Sequence, residues 1–276
     1  MSARPRRAVI TGASGGIGRA IVLRLAPRCD SMLLVGRDAA SLAEIALAAG
    51  AACVRARTVV ADLTTGAGQQ AVLSAAQDDG GIDLLVNNAG AGEFAWLVDQ
   101  DDAALERIVQ VNVLAPMLLT RRLLPLLMAQ EPASIVNVGS IFGYLGYPGH
   151  AAYSASKFAL RGFSEALRRE LADSGVQVHY FAPRATRTAM NTASTCALNA
   201  ELGIAMDPPD AVAAALVALL DNPVAERALG MPERLFALLN RIMPRVVDHA
   251  LKRQLPVIRR HARASRPQPV SQGEKP

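Results

Sequence analysis

Short apolar runs alternate along the chain with longer stretches in which apolar residues return every three or four positions. RRAVIT (6–11), SMLLVG (31–36), ARTVVA (56–61) and IDLLVN (82–87) read as β-strands, while 19–26 and 38–49 carry helical spacing. Strand and helix alternating at this interval predict βαβ units in a parallel, doubly wound α/β sheet. SIVNVGS (134–140) and VQVHYFAP (176–183) continue the series, and 225–230 can add a last strand. Phe158, Leu160, Phe163, Leu167 and Leu171 fall on one face of a long amphipathic helix over 151–172. DPPDAVAAALVALL (207–220) predicts another helix, with its prolines in the first turn, where they are tolerated.

Composition narrows the class. With 276 residues, 51% of them apolar and 4% aromatic, the chain suits one large α/β domain or at most two small ones. No apolar run is read as a membrane span, and the N-terminus turns glycine-rich too early for a signal peptide. Cys29, Cys53 and Cys196 are scattered, and His150, His179, His249 and His261 form no ligand pattern, so no metal site is expected. A reducing, cytoplasmic setting follows as the expectation. The net charge of +5 is unevenly placed: from Met231 onward ten Lys/Arg face three Asp/Glu, a surplus of seven, so the first 230 residues sum to −2.

Two stretches carry chemistry. TGASGGIG lies between the first strand and its helix. Gly12, Gly16 and Gly18 allow a tight turn and close approach to a pyrophosphate, which the helix N-terminus then attracts. The spacing is Gly-x-x-x-Gly-x-Gly rather than Gly-x-Gly-x-x-Gly. The end of the second strand should meet the adenosine ribose. Gly36 stands where an acid would hold the 2′-hydroxyl, and Arg37 follows, which favours NADP(H) over NAD(H); Asp38 next to it weakens that preference. The second stretch is YSASK. Tyr153 and Lys157 are four apart on one helix face, with small residues between. A nearby ammonium lowers a phenol pKa, and such a tyrosine can move a proton to or from a carbonyl oxygen.

TGASGGIG, Asp62, NNAG (87–90), Asn112, Ser140 and YSASK stand in an order and spacing that resembles the short-chain dehydrogenase/reductase family over roughly residues 6–190. The resemblance implies a Rossmann-type sheet of about seven strands with helices on both faces. It implies a catalytic tetrad: Tyr153 as general acid or base, Lys157 tuning it and holding the nicotinamide ribose, Ser140 on the substrate oxygen, and Asn112 anchoring a water behind the lysine. Its cofactor contacts carry over to Gly12, Ser14, Gly15, Gly16, Ile17 and Gly18, to Arg37, to Asp62 and Leu63 at the adenine, to Asn88, Ala89 and Gly90, to Tyr153 and Lys157, and to Thr186 and Thr188. The implied activity is interconversion of a carbonyl and an alcohol with NADP(H), in a dimer or tetramer. A dinucleotide-binding sensor or scaffold without turnover is the alternative.

Two positions depart from the family pattern. Gly15 offers no partner to a 2′-phosphate, which leaves that task to Arg37. Arg184 replaces a glycine after the sixth strand, placing a bulky cation near the cofactor or the substrate mouth. Its replacement by glycine is expected to change substrate kinetics more than folding. The loop over 185–206 is small, apolar and hydroxyl-rich, with one acid, Glu201, and suits a largely apolar substrate.

A catalytic domain over 1–230 is followed by a basic amphipathic extension over 231–263. Pro244 and Pro256 should break the extension into short helices. It is expected either to cap the cleft or a neighbouring subunit, or to lie on an anionic membrane surface. Residues 264–276 read as a disordered end, and the basic tail lacks an aromatic platform for nucleic acid.

Overall fold

The computed structural model describes residues 6–52 and 55–264. Cys53 and the expected disordered end beyond residue 264 lie outside the described residues. Seven parallel strands run in the order β3-β2-β1-β4-β5-β6-β7: β1 Arg6–Thr11, β2 Cys29–Gly36, β3 Arg55–Val60, β4 Leu84–Asn87, β5 Ala133–Val138, β6 Val176–Ala182 and β7 Glu226–Ala228. The order reverses between β1 and β4, which opens a crevice at the carboxyl ends of those strands.

The helices are α1 Gly16–Leu25, α2 Ala39–Gly50, α3 Gly66–Asp78, α4 Asp102–Val109, α5 Ala115–Met128, α6 Ala151–Glu170, α7 Ala193–Glu201, α8 Pro209–Asp221, α9 Met231–Ile242 and α10 Pro244–Ala264. Successive strand side chains point to opposite faces, so the sheet builds two cores. Ile10, Leu34 and Val86 meet Ile21 and Leu25 of α1, Leu42 of α2 and Leu216 of α8 on one side. Val9, Leu33 and Leu85 meet Val72 of α3, Leu119 and Leu123 of α5 and Leu167 of α6 on the other.

Three expectations change. Between α4 and α5 the chain makes a π-helical turn, Gln110–Leu114, so Asp102–Met128 is one helical run. By length and composition that run is apolar enough to cross a bilayer, contrary to the sequence expectation, yet Leu119, Leu123 and Leu127 are buried in the second core. The 185–206 segment is not wholly a loop: Thr192 accepts from the Thr195 N–H and caps α7. Pro244 does open a new helix, but Pro256 lies inside α10 without ending it. An interior proline costs about 3 kcal/mol. Val247, Leu251 and Ile258 of α10 are buried, and each such side chain contributes about 1.5–3 kcal/mol. Tertiary packing therefore outweighs the local penalty.

The extension packs on the chain itself. Ile258 and Ala262 join Phe94 and Leu198 of α7, while Val247 and Leu251 join Leu145, with Phe236 and Leu239 of α9 beside them. Glu201 at the end of α7 pairs with Arg260 and, at 2.7 Å, with His261 Nε2. The inner face of 231–263 thus covers Phe94, Leu145 and Leu198 of its own chain, and none of its residues lines the crevice beside β1 and β4.

Candidate active site

The crevice is a cleft of about 580 Å³. Its floor is the turn after β1. Gly12 has φ +63, which favours glycine, and a Cβ at Gly18 would lie 2.0 Å from the Gly12 carbonyl oxygen. Both glycines are therefore required for α1 to start this close to the strand. The N-cap of α1 is Gly15, which has no side chain to bond the first N–H groups, and the first turn holds no acid. The positive helix end thus faces the cleft ready for an anion. The second turn, after β4, is locked to the first. Asn88 Nδ2 donates to the carbonyls of Thr11 and Gly12 at 3.0 and 3.1 Å, while the N–H groups of Asn88 and Ala89 donate to Thr11 Oγ1.

At the end of the cleft beside β2 and β3, Asp62 Oδ1 accepts from the backbone and hydroxyl of Thr64 at 2.9 and 2.8 Å. Those bonds, and then the charges of Arg37 and Arg107, hold its carboxyl below the usual range. Arg37 is exposed at the cleft edge. The Gly36 position is tight, since a Cβ there would meet Ser14 Oγ and Leu42 at 3.3 Å and those side chains would have to give way slightly. Asp38 caps α2, its Oδ1 accepting from the Ser41 N–H at 2.9 Å.

At the other end Tyr153 and Lys157 rise from α6. Lys157 is buried; its Nζ donates to the Val138 carbonyl at 3.0 Å and stands 5.6 Å from the Tyr153 ring centroid. Burial lowers its pKa to about 8. Burial is also the largest influence on Tyr153 and raises its pKa, while a hydrogen bond with Ser140 opposes the shift. This is opposite to the direction expected from the ammonium alone, because removing the phenolate from water dominates here.

Of the residues singled out in the sequence, Gly12, Ser14, Gly15, Gly16, Ile17, Gly18, Arg37, Asp62, Leu63, Asn88, Ala89, Gly90, Tyr153, Lys157 and Thr188 line this one cleft. Thr188 sits over the glycine turn, close enough that a Cβ on Gly16 would strike its methyl at 2.7 Å. Asn112 lies behind the wall. Its Oδ1 accepts from the Ala91 N–H at 2.8 Å, and its Nδ2 donates to the Ala91 carbonyl and Ser156 Oγ at 2.7 and 2.9 Å. Thr186 is buried and is not among the residues that line the cleft; its hydroxyl donates to the Arg184 carbonyl, and its own carbonyl accepts from Asn191. Arg184 turns from the cleft and grips Asp207 through Nε and Nη2, at 2.9 and 2.6 Å, and Glu233 of α9 at 3.4 Å.

The sequence reading did not single out Tyr180. Its phenol is buried in β6, and the hydroxyl accepts from the Ser140 N–H at 3.2 Å and faces the carbonyls of Ser140 and Lys157 at 3.1 and 3.3 Å. Space for the ring exists only because residues 139 and 143 are glycines; a Cβ on either would fall about 2 Å from it. A glycine on each side of the serine was the available signal. Arg107 and the aromatic wall of Phe94, Phe142, Tyr147 and His150 also escaped notice, being brought in by the fold. His150 stacks on Phe94 at 5.0 Å and lies edge-on to Tyr153 at 6.1 Å. Burial lowers its pKa to about 4, so the ring is neutral at pH 7. Among the described residues no cluster of His, Cys, Asp or Glu could hold a metal.

Residues 6–198 match the family model described as short chain dehydrogenase. The chain is 37% identical over 202 residues to the uncharacterised oxidoreductase YmfI of Bacillus subtilis, covering 71% of this chain and 81% of that one. It is 33% identical over 220 residues to the ketoacyl reductase HetN of a Nostoc species, covering 79% and 76%. A short-chain dehydrogenase from Sphingobium yanoikuyae, solved in complex with NADPH, superposes with a TM-score of 0.74 at 28% identity over 88% of this chain and 96% of that one. With the sheet order, the glycine turn and the Ser140–Tyr153–Lys157 cluster all in place, this chain belongs to the short-chain dehydrogenase/reductase family of oxidoreductases.

Proposed function

We propose that this protein interconverts a carbonyl and an alcohol on a largely apolar small molecule, with NADP(H). One observation carries the reading: Tyr153, near Ser140 and one helical turn from Lys157, stands at the end of a cleft that fits a dinucleotide, beside a wall of Phe94, Phe142, Tyr147 and His150. The glycine turn and the uncapped end of α1 would hold the pyrophosphate, and the cofactor supplies or takes the hydride. Ser140 would hold the substrate oxygen. In reduction Tyr153 gives that oxygen its proton; a phenol kept protonated by burial is in the form this step needs. Lys157, whose pKa is near 8, is able to return the proton at neutral pH. Asn112 shapes the site by bracing Ala91 against Ser156 of the catalytic helix.

NADP(H) is favoured on three grounds. Gly36 leaves its position at the end of β2 without an acid, the Asp38 carboxylate is committed to its helix cap, and Arg37 is exposed at the cleft edge. The aromatic wall supports an apolar substrate, as do the apolar contacts of α7 and α10 beyond it. We also infer a homo-oligomer, since Leu114, Met117, Leu118 and Phe158 leave an exposed apolar face on the α5 and α6 side; sedimentation velocity would show a monomer if this is wrong.

The test is NADPH oxidation across a panel of apolar ketones and acyl ketones, with Tyr153→Phe beside the wild type. Turnover should fall by about 10²–10⁴ in the variant while NADPH binding holds. Tight NADPH binding without turnover from either protein would favour a dinucleotide-binding sensor.

A further inference from the structure

We propose that the outer face of α9 docks this protein on an anionic lipid surface. The fold sorts the apolar residues of the extension into two groups. Phe236, Leu239, Val247 and Leu251 pack inward around Leu145 and Tyr147. Met231, Leu235, Leu238 and Ile242, spaced by four, three and four residues, remain 72%, 58%, 51% and 66% exposed. Val246, 50% exposed, continues beyond the helix. A continuous stripe of this kind marks a contact surface on a folded protein.

The charges select the occupant. Arg234, Arg241 and Arg245 are exposed beside the stripe. The acid of α9, Glu233, is turned inward and pairs with Arg184, so the outer face of α9 carries positive charge only. A symmetric contact between two copies would set like patch against like patch. Nucleic acid would use the arginines and leave the apolar stripe wet. An anionic bilayer accepts both, taking the apolar face to the acyl boundary and the arginines to the headgroups.

The stripe lies on the back of a helix fastened to the catalytic end. Arg184 joins Glu233 to Asp207, two residues before α8, and Asn240 Nδ2 donates to the Tyr144 carbonyl at 3.0 Å, four residues from Ser140. A docked α9 would hold the substrate side of the cleft against the membrane. On the proposed function, that position suits a carbonyl compound dissolved in lipid.

The full chain would be sedimented with vesicles of phosphatidylcholine alone and with vesicles enriched in phosphatidylglycerol. Binding is expected to the second kind and to weaken with salt. Leu238→Glu with Ile242→Glu should reduce it by more than about tenfold. Arg241→Gln and Arg245→Gln should each reduce it about fivefold. NADPH oxidation with a water-soluble ketone should be unchanged in all of these variants. No sedimentation with anionic vesicles, or equal sedimentation of the double variant, would overturn the proposal. So would a solution dimer that the double variant dissociates, since the stripe would then join two copies. Vesicle binding in a protein without ketone turnover would leave the surface standing and remove only the substrate reading.

Discussion

The two ends of the cleft are built by different means. At the cofactor end the walls are backbone: two turns at the carboxyl ends of β1 and β4, pressed together through Thr11 and Asn88, with α1 starting against the Gly12 carbonyl. At the substrate end the walls are side chains from distant segments, joined by ion pairs such as Arg184 with Asp207 and Glu233, and Glu201 with Arg260 and His261. The first kind of site tolerates almost no added atom. The second tolerates change, because the pairs are partly solvated and their worth is modest. A family can thus keep one cofactor cradle while its substrate side varies.

That contrast can be tested from its strongest point. Gly18→Ala puts a methyl 2.0 Å from a carbonyl oxygen, an overpacking of about 1–3 kcal/mol or more. NADPH affinity, followed by fluorescence titration, should fall about ten- to a hundredfold; wild-type affinity would show that the backbone cradle is soft. Tyr180→Phe keeps the ring and removes only the hydroxyl that holds Ser140 and the Lys157 carbonyl. Losing a buried hydrogen bond of this kind costs about 1–3 kcal/mol, so kcat should drop about tenfold or more, with the Kd for NADPH held within about twofold. An unchanged kcat would mean that β6 supports the fold but not the proposed role of Ser140.

A smaller effect is expected at the substrate end. Arg184→Gly releases Asp207 and Glu233 and loosens the base of α9, so KM should rise several-fold while Tm falls by only about 2–4 °C per kcal/mol lost. Unchanged kcat/KM across the ketone panel would separate the clasp from catalysis. The smallest effect is in pH. The His150 pKa is lowered in the folded protein to about 4, so the unfolded chain takes up a proton first, near its ordinary 6.5. The stability that neutral His150 supplies is complete above about 6.5 and is lost as pH falls toward 4. His150→Gln should flatten that part of the Tm profile; an identical slope would place the acid sensitivity elsewhere.

Much of this was legible in the chain. RRAVIT is β1 to the residue, and the glycine turn, the NNAG turn and the YSASK helix fall where the hydrophobic period puts them. Strand and helix periods are local, and the turn glycines announce themselves because another residue type would clash. Arg184 was seen as a departure, but its partners were not. Asp207 lies 23 residues away and Glu233 49, and no local pattern links them. Pro256 was misread for the same reason: local chemistry says break, and the buried faces of Leu251 and Ile258 say continue.

The sequence by itself determined the family, the doubly wound sheet and the residues proposed to react, because these rest on short-range periodicity and on residue types with few substitutes. Only the tertiary structure decided the rest. It set Tyr180 behind Ser140, buried Thr186 outside the cleft lining, raised the Tyr153 pKa instead of lowering it, and divided the apolar residues of the extension between a packed and an exposed face. Burial and contact between segments far apart in the chain govern each of these, and neither quantity exists until the chain is folded.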